Sequence, residues 1–149
     1  MYYNQKHNLT QEEKMKTIRV GVDLDGVVVN KPVFIPKSLI EWLFRAHHNH
    51  GRKYRIPKSK LEIAVRKLSH HWLMRPPIRA NITIIKKLSK AKNIKIYLIS
   101  GRYQFLKNQT AAWLKVNGLS QLFPTPYINL NDLQPHIFKE QMAKKLKLD

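Results

Sequence analysis

Two apolar runs, TIRVGVD (Thr17 to Asp23) and NIKIYLIS (Asn93 to Ser100), read as strands, and most of what lies between them carries apolar residues at helical spacing. Strands separated by helices cannot be joined as a hairpin. They pair in parallel through crossover connections, so the order of elements predicts an α/β chain, Rossmann-like, with a parallel sheet. In the first run Ile18, Val20 and Val22 alternate with Arg19 and Gly21; the second is apolar nearly throughout, as in a strand covered on both faces. Helices are expected over KSLIEWLFRAHHNH, with Leu39, Ile40, Leu43 and Phe44 on one face, and over SKLEIAVRKLSHHWLM, which Ser59 caps and whose apolar face is Leu61, Val65, Leu68 and Trp72. Arg75-Pro76-Pro77 ends that pattern. Further helices are predicted from about Ile78 to Lys90 (Ile82, Ile85 and Leu88 inward), over QFLKNQTAAWLKVNG and over HIFKEQMAKKLKL, with PTPYINL as a short third strand. Trp42, Trp72 and Trp113 all fall on apolar helix faces and are expected in the core.

At 149 residues the chain suits one domain, with residues 1–16 as a polar tail. Cysteine is absent, which excludes disulfides, thiolate zinc sites and cysteine nucleophiles. The first sixteen residues lack the apolar segment of a signal peptide, and no apolar run approaches the ~18 residues of a membrane span. A cytoplasmic protein without a membrane partner is the expectation. Twenty-eight Lys and Arg against nine Asp and Glu give +19, a field that draws polyanions such as nucleic acid or phosphorylated substrates.

In so basic a chain, two of the few acidic residues, Asp23 and Asp25, stand two apart just where the first strand ends, and Gly26 follows. Residues two apart on an extended segment point the same way, so the pair presents two carboxylates to one small space. That arrangement suits either a bound Mg²⁺ or one ionised nucleophile beside one protonated acid. Gly26 allows a sharp turn and close backbone approach to a ligand. Ser100 ends the second strand, and ligands of parallel sheets bind at those carboxyl ends. The histidines at 47, 48 and 50 and the pair His70-His71 are poor metal clusters, because neighbours on a helix diverge by about 100°.

VDLDGVVV resembles the first motif of the haloacid-dehalogenase-like (HAD) superfamily, mostly Mg²⁺-dependent phosphatases, and IYLISGR and PHIFKEQ resemble its second and third. The resemblance implies a HAD core (17–30 and 80–149) with a small, basic, helical cap inserted over 31–79. It implies Asp23 as the nucleophile that forms an aspartyl-phosphate, Asp25 as general acid and base, and Mg²⁺ on the Asp23 side chain and the Asp25 carbonyl. Ser100, Gly101, Gly26 and Arg102 would bind the phosphoryl group, and Lys139 would neutralise its charge. The family's fourth motif, an acidic pair on a strand after the lysine-bearing helix, has no counterpart before Asp149. Either the chain stops short of it or the metal site is degenerate. Its absence would also leave the first strand as an open edge, inviting self-association, and Asp149 as a frayed terminus. The implied activity is phosphomonoester hydrolysis of a small metabolite or nucleotide. The alternative is a non-catalytic or truncated HAD-like protein that holds nucleic acid or a protein partner on its basic surface.

Overall fold

The computed structural model describes residues 16–32, 56–57 and 59–149. Three parallel strands, β1 (Ile18–Asp23), β2 (Ile94–Tyr103) and β3 (Tyr127–Asn129), form one sheet in the order β1-β2-β3. Four α-helices accompany it among the described residues: α1 (Lys60–Ser69), α2 (Arg79–Leu88), α3 (Lys107–Val116) and α4 (Pro135–Leu146). The α/β class and the parallel pairing are as the element order requires. The first helix expected, over residues 37–50, lies outside the described residues, as do His47, His48, His50 and Trp42.

Strand alternation sorts the two faces of the sheet. Val22 and Leu98 point into a core completed by Leu24, Val28 and Val29, by Ile82 and Ile85 of α2, by Trp113 and Leu114 of α3, and by Leu119 and Phe123. Gly21, Ile99 and Gly101 face the other way, toward α4 and its tail. A methyl group on Gly101 would stand 2.7 Å from Pro135 Cβ, and one on Gly21 would stand 2.5 Å from Leu148 Cδ1. Gly101 therefore admits close approach of α4 at Pro135, which a side chain would prevent, whereas a side chain at Gly21 would make Leu148 shift.

The tail of α4 is ordered against β1. Lys147 takes a left-handed conformation (φ 50°), and the Leu148 N–H donates to Ala143 O at 3.0 Å, closing a Schellman-type turn. Asp149 then pairs with the outer edge of β1: its N–H donates to Arg19 O at 3.0 Å and its Oδ2 accepts the Arg19 N–H at 3.0 Å. Asp149, expected to fray, is tied down by these two bonds, and β1 is an edge strand as expected, met at Arg19 by Asp149.

Helix α1 forms where the pattern places it, and Ser59 Oγ caps it by accepting the Glu62 N–H at 3.1 Å. Its orientation is the reverse of the expectation. Glu62, Arg66 and Ser69 are the buried residues, while Leu61 is 76% and Leu68 65% exposed and Val65 and Trp72 are also outside. The physical reason is electrostatic. Arg66 and Glu62 form a buried i, i+4 pair at 3.0 Å within the helix, and Arg75 joins Ser69 O and His70 to Asp25, so the polar face is the one tied to the end of β1. Two insert arginines, Arg66 and Arg75, are therefore internal rather than part of a solvated basic face. Leu88 of α2 is likewise exposed, and of the described tryptophans only Trp113 is fully buried.

Two substitutions test the inverted helix. Leu68→Gln is expected to change unfolding free energy by less than about 0.5 kcal/mol, as at an open surface. Leu98→Ala, in the core, is expected to cost about 2–5 kcal/mol by urea denaturation. A loss of 2 kcal/mol or more at Leu68 would place that leucine inside.

Candidate active site

The site begins at the carboxyl end of β1. Past Asp23 the chain turns back at once: the Val28 and Val29 N–H groups both donate to Leu24 O (3.0 and 2.8 Å), and the Gly26 N–H donates to Val29 O at 2.8 Å. Gly26 has φ 82°, which explains its place in the motif. The loop is fastened to the exit of the insert by Asn30 N–H to Pro76 O (2.9 Å), Ile78 N–H to Val28 O (2.9 Å) and the Asn81 amide to Val27 O (2.7 Å). The two carboxylates are thereby held on a rigid turn.

Each carboxylate meets different cations. Asp23 Oδ2 accepts from Lys139 Nζ at 2.5 Å, and its Oδ1 accepts the Leu24 N–H at 2.8 Å. The alternation of β1 turns Arg19, Gly21 and Asp23 away from the core, so Asp23 faces α4 and Lys139, which stands one turn into that helix. Asp25 instead receives the planar fork of Arg102, Nε to Oδ2 at 2.8 Å and Nη2 to Oδ1 at 2.7 Å. A second guanidinium, Arg75 Nη1, reaches Asp25 Oδ1 at 3.2 Å.

Arg102 points inward because it follows Leu98 and Ser100 on the face of β2 that meets the core. The register with β3 runs Ile99 to Tyr127 and Ser100 to Ile128, then shifts, so that Tyr103 rather than Gly101 meets Asn129. Past the shift Tyr103 is buried as well as Ser100 and Arg102. The Arg102 side chain is only 2% exposed, with Nη1 on Thr110 Oγ1 at 3.1 Å. Expected to bind substrate, it is directed at Asp25. Ser100 is fully buried, and its Oγ accepts the Arg102 backbone N–H at 3.3 Å. Asp23, Asp25, Gly101, Arg102 and Lys139 come together as a cluster at the ends of β1 and β2, with Ser100 beneath them.

Sequence reasoning missed Arg75, His70 and Asn129. Arg75 was read as a helix breaker and as one of the basic residues of the insert, and His70 only as half of a poor metal cluster. Arg75 is buried, with Nε on Ser69 O (3.1 Å), Nη1 on Asn30 O (3.3 Å) as well as Asp25, and Nη2 3.1 Å from His70 Nε2. Its own carbonyl accepts the Trp113 indole N–H at 2.6 Å. A guanidinium only donates, so His70 Nε2 must accept, and the proton sits on Nδ1, 2.8 Å from Arg66 O. Asn129 is fully buried and clamps the turn before α4, donating to Leu133 O at 2.6 Å and accepting the Leu133 N–H at 3.0 Å. That clamp sets the start of α4 and, through it, Lys139. A polar residue before Pro-Pro, or an Asn closing a strand, was the only signal available.

Burial and the guanidinium groups of Arg102 and Arg75 press His70 down to about 3, so its imidazole is neutral in the folded protein. Burial also lowers Arg75, to about 10, against the pull of Asp25, and it stays charged at neutral pH. Burial alone would raise the Asp25 carboxyl, but Arg102 first and Arg75 after it outweigh that and hold it below the usual carboxylate range.

Does this donor set fit a divalent ion? Among the described residues no group of three or more His, Asp or Glu side chains converges on one point. Both Asp25 oxygens are engaged by guanidinium groups, which leaves its carbonyl as the donor that residue can offer. The Asp23 carboxylate is 30% exposed and has lone pairs beyond its two N–H contacts. Mg²⁺ commonly takes one or two protein oxygens and completes its shell with water and substrate phosphate. The residues fit it on those terms.

The acid sensitivity of the site follows from His70. Its pKa is depressed from 6.5, so below pH 6.5 the unfolded chain binds a proton that the folded chain refuses, and stability falls as pH falls toward 3. Asp25 acts in a separate window, contributing stability above about pH 4 and losing it below. Between pH 6.5 and 5 the wild type is expected to lose roughly 1 kcal/mol per pH unit through His70. His70→Gln, which keeps an acceptor for Arg75, should flatten that slope in urea titrations at pH 7, 6 and 5; equal slopes would refute the assignment.

No family model matches the chain, and neither a curated protein nor a solved structure does.

Proposed function

We propose that the chain is a HAD-like phosphoric monoester hydrolase working through Asp23 on a small phosphorylated metabolite or nucleotide. The observation that supports this best is the Asp23–Lys139 contact. It joins the first and third motifs, 116 positions apart, at the carboxyl end of β1. In this reading an Asp23 oxygen attacks phosphorus and the bond from phosphorus to the leaving oxygen breaks, giving an aspartyl-phosphate; water then cleaves it, and phosphate and the free carboxylate return. Lys139 offsets the charge gathering on the phosphoryl oxygens, and the backbone around Ser100 and Gly101 binds them.

Asp25, ionised between two guanidinium groups, is suited to accept a proton from the attacking water. To act first as acid it must take up a proton in competition with Arg102 and Arg75. Mg²⁺ would be held by the Asp23 carboxylate and the Asp25 carbonyl, and when bound it supplies further charge neutralisation at the phosphoryl group. A second reading, a non-catalytic HAD-like protein binding nucleic acid or a partner through its basic surface, draws on the same engaged state of Asp25.

The two readings separate in one assay. Phosphate release from an aryl phosphate should require Mg²⁺, stop with EDTA, fall at least about 10³-fold in Asp23→Asn and about 10²–10³-fold in Lys139→Met. A folded chain with no turnover supports the binding reading.

A further inference from the structure

We propose that this site takes its phosphoryl anion before its divalent cation, and that Arg75 is the residue that imposes the order. The inference rests on the hydrolase reading of the same site, but its test is a binding equilibrium and needs no turnover.

The argument is a charge count on residues held in place. Two carboxylates, Asp23 and Asp25, face three cations, Lys139, Arg102 and Arg75. Lys139 alone would balance Asp23, and Arg102 alone would balance Asp25 through its bidentate fork. Arg75 is therefore the excess charge. It is not free to leave: besides Asp25 it donates to the carbonyls of Ser69 and Asn30 and to the lone pair of His70 Nε2, and its side chain is 9% exposed. Withdrawing a buried guanidinium from four acceptors would strand several of them.

A dication approaching this cluster meets a net positive charge and one ligating carboxylate. A phosphate dianion meets the attraction of the same charge and the ammonium of Lys139, which is 42% exposed and so reachable. Once the anion is seated the local balance turns negative, and its oxygens supply ligands that the protein lacks. The cation then follows. Because coupling between ligands is reciprocal, Mg²⁺ must strengthen phosphate binding by the same factor by which phosphate strengthens Mg²⁺.

Isothermal titration with orthophosphate and Mg²⁺ as probes, in roughly 0.15 M NaCl to screen the general basic surface, decides the matter. Phosphate is expected to bind the wild-type chain without metal. Mg²⁺ is expected to bind at least about tenfold more tightly in saturating phosphate than alone. Asp23→Asn, which removes a negative charge and the ligating carboxylate, should bind phosphate more tightly and lose the coupling. Lys139→Met should weaken phosphate about tenfold and strengthen Mg²⁺ added alone. Arg75→Gln, read at its own folded baseline, should do the latter too, whereas Arg75→Lys, which keeps the charge, should not; Mg²⁺ affinity in folded Arg75→Gln equal to the wild type's would overturn the role of Arg75. Equal Mg²⁺ affinity with and without phosphate would overturn the proposal. So would phosphate binding that is absent or indifferent to Lys139→Met, since the anion would then sit elsewhere. Coupled binding without aryl phosphate turnover would support the order of binding while sinking the hydrolase reading.

Discussion

The fork of Arg102 on Asp25 is the interaction around which the rest is arranged. A guanidinium that is 2% exposed has to find acceptors, and the inward face of β2 aims it at Asp25 and Thr110. Asp25 takes two of its N–H groups and Thr110 a third, which fixes the turn after β1 relative to β2 and α3. Arg75 brings the insert into the same arrangement, and His70 and Ser69 extend it to α1. Removing either partner of such a pair leaves an uncompensated charge, a penalty of several kcal/mol. The polar network therefore does for the insert what an apolar core does for the sheet.

That substitution explains which parts of the chain were legible in advance. Strands β1 and β2 announced themselves, because alternation and an uninterrupted apolar run have one economical outcome in an α/β chain. Helix α1 was legible as a helix, through Ser59 and its periodicity, but not in its facing. Apolar spacing reports the inner face only when hydrophobic burial is the strongest term. The i, i+4 pair of Glu62 and Arg66 is visible in KLEIAVRKLS but reads equally as a solvated pair, and the link through Arg75 to Asp25 that turns this face inward is not local. Lys139 was legible through order and resemblance, and the turn of β1 toward α4 brings it to Asp23. Arg75 was not, since its partners lie 45 and 50 positions away and depend on a fold that has to exist first.

The same network gives the insert a mechanical relation to the site. Its exit is hydrogen-bonded to the loop that carries Asp25, and the Trp113 indole holds the Arg75 carbonyl from the far side of the core. Any shift of α1 is felt at Arg75 and so at Asp25. An insert anchored only by apolar contacts would slide more freely, because such contacts lack direction. Here the direction is supplied by guanidinium planes.

Alternate residues of β1 are completed from the other end of the chain: Arg19 by Asp149, Gly21 by Leu148 and Asp23 by Lys139. The closest of these pairs in sequence is still 116 positions apart. During synthesis, β1 leaves the ribosome early but must wait for α4 and its tail before that face is covered and Asp23 has its cation. Such long-range closure slows folding and leaves a nascent chain with a bare strand. Until α4 is made, a ribosome-bound chain carries both carboxylates without the ammonium that Asp23 meets in the folded protein.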